Sequence, residues 1–202
     1  MIRLVFLVAV PIVALFAFGE GPQEEYVNAG VLPYSRESGE VRVLLGFDPD
    51  PGAWADFVGV CTPGETPSDT AAREFVEETR EAYAVNDVLT RLRSREPVVI
   101  GPTRIFLLEV PEISAARLNR RSRSRNSEKT NYCWVSLVTL LESIDNRGAN
   151  RAEVPASCGS SRELFDLVGA NLAQGQELRQ QLLRPPGEQL TTRLTTRPRC
   201  GR

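Results

Sequence analysis

The stretch from Gly59 to Glu81 reads GVCTPGETPSDTAAREFVEETRE. It opens with a tight loop, Gly59 to Gly64, followed by Glu65 and a well-marked helix start. Thr66 suits the N-cap, Pro67 suits the first helical position, and Asp69 stands where it returns the capping bond. Glu74, Glu77 and Glu78 follow at three- and four-residue spacing, so a helix gathers them on one face. Like charges at that spacing cost about 0.2–0.5 kcal/mol per pair in an isolated helix. Something positive therefore belongs there, and carboxylate oxygens suit a hard divalent cation, Mg²⁺ or Mn²⁺. The alternative reading of three Glu alone is a solvated acidic face. Ala71, Ala72, Phe75 and Val76 supply the apolar surface on the other side.

In this register the stretch resembles the motif of the Nudix hydrolase family. That motif runs Gly, five residues, Glu, seven residues, Arg-Glu, an apolar residue, any residue, Glu-Glu, any residue, Gly and an apolar residue. Gly59, Glu65, Arg73, Glu74, Phe75, Glu77 and Glu78 all fall in place. Arg80 stands where the family has glycine, Glu81 where it has an apolar residue, and Val60 where many members have a second glycine. Glycine at the Arg80 position would end the helix in a left-handed conformation. With Arg80 and Glu81 the helix is expected to run on through Glu81-Ala82-Tyr83-Ala84.

The resemblance implies an α/β (α+β) fold, a mixed sheet between helices. It implies that Glu74, Glu77 and Glu78 hold metal together with the backbone carbonyl of Val58. It also implies that Arg73 orients the catalytic helix by pairing with Glu65. The activity it implies is hydrolysis of a pyrophosphate bond in a nucleoside diphosphate linked to another group. A Nudix-fold module that binds a nucleotide or protein partner without turnover is the alternative. So is an exported protein acting through its arginine-rich loop and tail.

Composition narrows the chemistry. The 202 residues suffice for one domain with tails, and 42% hydrophobic content is ordinary for a globular chain. Histidine is absent, which removes Ser-His-Asp and Cys-His hydrolysis and histidine-ligated metals. A net charge of −2 gives no case for nucleic-acid binding. Cys61, Cys133, Cys158 and Cys200 form no C-x-x-C pair, so structural zinc is not expected. Disulfides are permitted in an exported chain, but the three pairings stay open. Cys61 in the motif loop reads as ordinary packing.

Arg3, the apolar run Leu4 to Phe18 and the small residues near Gly19 read as a signal peptide over residues 1–19. An uncleaved anchor is the alternative, and only that form would reach a membrane. A secreted or exported chain follows. Residues 20–184 are assigned to the catalytic domain and 185–202 to a disordered tail. Glu25 to Tyr34 and Val41 to Phe47 read as a hairpin, Ala53 to Val60 leads into the motif, and Val98 to Val110 reads as two strands around Gly101-Pro102.

Arg117 to Ser127 is an arginine-rich loop, read as solvated or, alternatively, as a phosphate-contacting flap. Glu128 is a candidate extra ligand or base, and Tyr132 and Trp134 are candidates to line a base pocket, with the core as the plainer place for them. Asp145 to Ser160 reads as a linker and Ser161 to Leu183 as a final amphipathic helix. The expected partner is a small phosphorylated, nucleotide-derived substrate. Family members are often dimers, which makes a homodimer admissible.

Overall fold

Successive residues of the central strands are apolar because both faces of the sheet are covered. A computed structural model describes residues 26–122, 127–159, 163–165, 168, 172, 176–184 and 200. Seven strands form one mixed sheet: β1 (Asn28–Ser35), β2 (Arg42–Asp48), β3 (Ala53–Ala55), β4 (Phe57–Val60), β5 (Val98–Ile100), β6 (Thr103–Glu109) and β7 (Asn131–Ser136). β1 lies parallel to β6 from Asn28 to Tyr34. Its other edge is shared: β4 pairs with its first half, and β2 with Tyr34 and Ser35. β2 continues the sheet to β3 and β7, and β5 closes the far side on β6.

Alternation along each strand feeds two cores. Ile105 and Leu107 of β6, with Cys133 and Val135 of β7, face one side. There they meet Leu137, Leu140 and Ile144 of α4 (Leu137–Arg147) and Leu178 and Leu182 of α5 (Gln176–Leu183). Phe106 and Leu108, with Tyr132 and Trp134, face the other. That side is covered by α1 (Pro67–Glu78), α2 (Val85–Leu92) and the short α3 (Ala115–Asn119). Phe75 anchors α1 there, edge-on to Phe57 at 5.4 Å and stacked on Tyr83 at 5.0 Å. Burying such a side chain contributes about 1.5–3 kcal/mol. The mixed sheet between helices is the architecture the motif implied.

Several expectations change. α1 does not run on past Glu78: Thr79 caps it, and Arg80 and Glu81 both take positive φ, at 57°. The left-handed turn the family makes with glycine is thus made here by two side-chain-bearing residues, at roughly 1–2 kcal/mol each. α2, unforeseen, follows at once because Val88 and Leu92, four apart, bury on the sheet. Asp145 to Ser160 is not a linker. α4 extends to Arg147, Ala152 and Val154 are buried, and two short 3-10 turns complete the segment. Glu163 to Phe165 are extended rather than helical, because Trp54 bonds Glu163 and Phe165 by backbone.

Cys61 is not mere packing. It is bonded to Cys200, and Cys133 to Cys158. The signal or anchor segment, residues 123–126 of the arginine-rich loop, and the tail other than Cys200 lie outside the described residues. Among the described residues no helix is long and apolar enough to cross a membrane.

Candidate active site

The start of α1 is fixed locally. The Thr66 side chain accepts from the Asp69 N–H, and Asp69 accepts in return from the Thr66 N–H, a complete capping box with Pro67 at the first helical position. Just before it, Glu65 accepts from Arg73 twice, Nε to Oε1 at 2.8 Å and Nη2 to Oε2 at 3.1 Å. Thr70 Oγ1 and the Thr62 N–H add bonds of 2.7 and 2.9 Å. The Arg73 bonds, with these donors, pull the Glu65 pKa down to about 2. Arg73 also donates to the Val60 carbonyl at 3.0 Å, tying helix to loop.

The three carboxylates are not equivalent. Glu77 is at the accessible side, 3.9 Å from Arg73. The Glu74 carboxylate rests on Gly59: a Cβ there would come within 2.0 Å of Glu74 Cδ, so only glycine admits it. Burial raises the Glu74 pKa, against the Arg73 bond at 2.5 Å. Glu78 is 3% exposed, and its Oε2 is buried with no partner. Burial holds its carboxyl well above the usual range although Lys129 Nζ lies 3.5 Å from Oε1.

Lys129 was not anticipated, nor were Asp48 and Asp56. Lys129 Nζ also bonds Asp48 Oδ2 at 3.3 Å, and its stem runs over Gly46, where a Cβ would meet it at 2.7 Å. Burial lowers its pKa, but Glu78, Asp48 and Asp56 together raise it. Asp56, buried at the break between β3 and β4, has its own pKa pushed up to about 6 by burial. A signal was present: Lys129 is the only lysine among 24 basic residues. A compact ammonium fits a carboxylate-lined gap that a guanidinium would overfill.

Of the other sequence candidates, Val58 lies in β4 opposite Gly30, one residue before Gly59. Glu128 is exposed, close enough to raise the pKa of Glu74 and Glu78. Trp134 is in the core and donates Nε1–H to the Ile113 carbonyl at 2.8 Å. Tyr132 is there too, its hydroxyl donating to the Glu78 carbonyl.

The NUDIX domain family matches residues 25–155, well over half the chain. The chain belongs to this family. Its fold is similar to that of RenU, a Nudix hydrolase from M. smegmatis, at 17% identity and a TM-score of 0.51 over 80% of this chain and 89% of that one. A C. elegans Ap4A hydrolase in a binary complex is similar at 18% identity and a TM-score of 0.41, over 76% and 98%. No curated protein matches the sequence significantly.

Nudix enzymes use divalent metals, and the donor set here fits one in kind. Its oxygens are hard, and the unpartnered Glu78 Oε2 is a buried acceptor awaiting a cation or proton. Among the described residues no three acidic side chains converge closely enough to hold an ion together. Arg73 already engages Glu74.

Proposed function

We propose that this chain is a divalent-metal-dependent hydrolase that cleaves a pyrophosphate bond in a nucleoside diphosphate joined to another group. The observation that carries the reading is Glu78, buried, one oxygen unpartnered, beside a Glu74 carboxylate that Gly59 makes room for. A buried acid without a full set of partners is costly, and such groups cluster at functional sites. Glu74, Glu77, Glu78 and the Val58 carbonyl would hold Mg²⁺ or Mn²⁺. The cation would polarise phosphoryl oxygens and offset the charge that develops on them. Glu65 and Arg73 lock the helix to its loop, so the carboxylates keep their places. Glu74, Glu78 or the exposed Glu128 takes the proton of the attacking water.

The two disulfides suit an oxidising compartment, and with the apolar run Leu4 to Phe18 they support export. One observation favours a second reading, a Nudix-fold module that binds without turnover: the Arg73–Glu74 bond stands where an ion would compete for Glu74.

The test is a panel of nucleoside diphosphate derivatives assayed with Mg²⁺, with Mn²⁺ and with chelator. Metal-dependent release of a nucleoside monophosphate supports the enzyme, and a Glu77→Gln, Glu78→Gln double variant should lose about 10³-fold or more in turnover. Binding without product from any compound leaves the binding module.

A further inference from the structure

The second family departure, Arg80, makes more contacts than a turn residue needs. Its backbone is left-handed, at φ 57°, where glycine would fit without strain. Its side chain is nevertheless buried, 6% exposed. The guanidinium donates to the carbonyls of Asn119 at 3.0 Å, Arg121 at 2.9 Å and Thr130 at 2.9 Å, with longer bonds to Leu118 and Lys129. Its Cζ lies over the Tyr132 ring, 5.2 Å from the centroid. Arg121 answers, donating Nε–H to the Arg80 carbonyl and Nη2–H to the Glu81 carbonyl, both at 2.7 Å. One fork therefore joins the two stems of the arginine-rich segment, residues 118–121 and 129–130, to the end of α1.

The 129–130 stem leads back to Glu78, and Asn119 of the other stem accepts from the Tyr132 N–H beside it. Lys129, whose carbonyl Arg80 takes, sends its ammonium to Glu78 and Asp48. Tyr132, under the guanidinium, takes the Glu78 carbonyl with its hydroxyl. We propose that Arg80 is a positioning residue: by clasping both stems it sets Lys129 against Glu78, and so fixes which Glu78 oxygen is left open. The role needs a planar fork with several donors, which glycine lacks and lysine does not reproduce. Its consequence for catalysis rests on the function proposed above; the clasp itself does not.

The test uses the full chain with Arg80→Gly, Arg80→Lys, Lys129→Met and the Arg80→Gly, Lys129→Met double variant. Lys129 is the only lysine of the unaltered chain, and amine labelling read by mass at its own peptide stays distinct from the amine that Arg80→Lys adds. If Arg80 merely fills a turn, glycine relieves strain and raises the unfolding midpoint. The clasp instead predicts a fall of about 5 °C or more. It predicts Lys129 labelling at least about tenfold faster in both Arg80 variants, through local opening. A Thr66→Ala control, which weakens the other end of the same helix, should leave labelling within about twofold.

In turnover, Arg80→Gly should lower kcat about tenfold with KM little changed, and add almost nothing to Lys129→Met. A stable Arg80→Gly variant with Lys129 as protected as before overturns the proposal, and so do additive kcat losses. If no compound is turned over by the unaltered protein, the enzyme reading fails. The labelling and midpoint results still decide the clasp.

Discussion

At its N-terminal end α1 carries a brace of residues near one another in the chain: the Thr66–Asp69 box spans three positions and the Arg73–Glu65 pair eight, with Tyr26 reaching in from farther away to the Glu65 carbonyl and Thr70. At its C-terminal end it is held by chain 38 to 50 residues away, through the Arg80 guanidinium. Both ends carry an arginine, yet one works as a local brace and the other as a long-range clasp. The difference teaches where a motif is self-sufficient. The capping box and the Glu65 pair need only the helix and its loop. The Glu78 environment needs β2, β7 and the arginine-rich segment brought together by the fold.

The contrast is sharpened first by the covalent long-range tie at the N-terminal end. Cys200 is bonded to Cys61, 139 positions away, and its N–H meets the Glu65 carbonyl at 3.4 Å. If the brace is local, the tie supplies stability rather than geometry. Cys61→Ser with Cys200→Ser should cost about 3–5 kcal/mol in unfolding measurements, as expected for closing so long a loop. Turnover of the folded fraction should stay within about twofold. A collapse in turnover at a temperature where the variant is fully folded would show that the motif loop depends on the tail.

Next in size is Gly59→Ala. The added methyl meets the end of a flexible side chain, so the fold should lose less than about 1 kcal/mol. The Glu74 carboxylate must still leave its place, and turnover should fall about 10²-fold, near 2.7 kcal/mol in the barrier. Unchanged turnover would remove Glu74 from the site.

The same contrast explains what the sequence made legible. The helix start, the acidic face and the paired strands on either side follow from patterns within a few residues, and they were readable. The turn at Arg80 was not. Its left-handed backbone is unfavourable locally and is held by carbonyls from a distant segment. The partners of Lys129 were hidden for the same reason, since Asp48 and Glu78 lie 81 and 51 positions earlier. The disulfide pairing and the extended Glu163 to Phe165 were likewise set by which surfaces meet, which spacing does not encode.

The smallest expected effect concerns the local brace itself, through pH. The Glu65 pKa is about 2 in the folded chain against an ordinary 4.5, with the Arg73 bond the leading cause. A lowered acid pKa stabilises the fold at pH values above 4.5, and that contribution fades as pH falls from 4.5 towards 2. The difference in unfolding midpoint between the unaltered chain and Glu65→Gln should therefore be largest near neutrality and shrink across that acid window. The pair is partly exposed, so the difference should be modest and should fall further with salt. Glu65→Gln also reduces the Glu65 side of the Arg73 fork to a neutral amide oxygen, leaving Glu74, Glu77 and the Val60 carbonyl as its other partners. A guanidinium no longer drawn towards Glu65 competes harder for Glu74. Mn²⁺ affinity should then weaken by a few-fold, measured by titration at neutral pH. An affinity that rises instead would mean that Arg73 holds Glu74 only by way of Glu65, and that the brace and the acidic face form one unit rather than two.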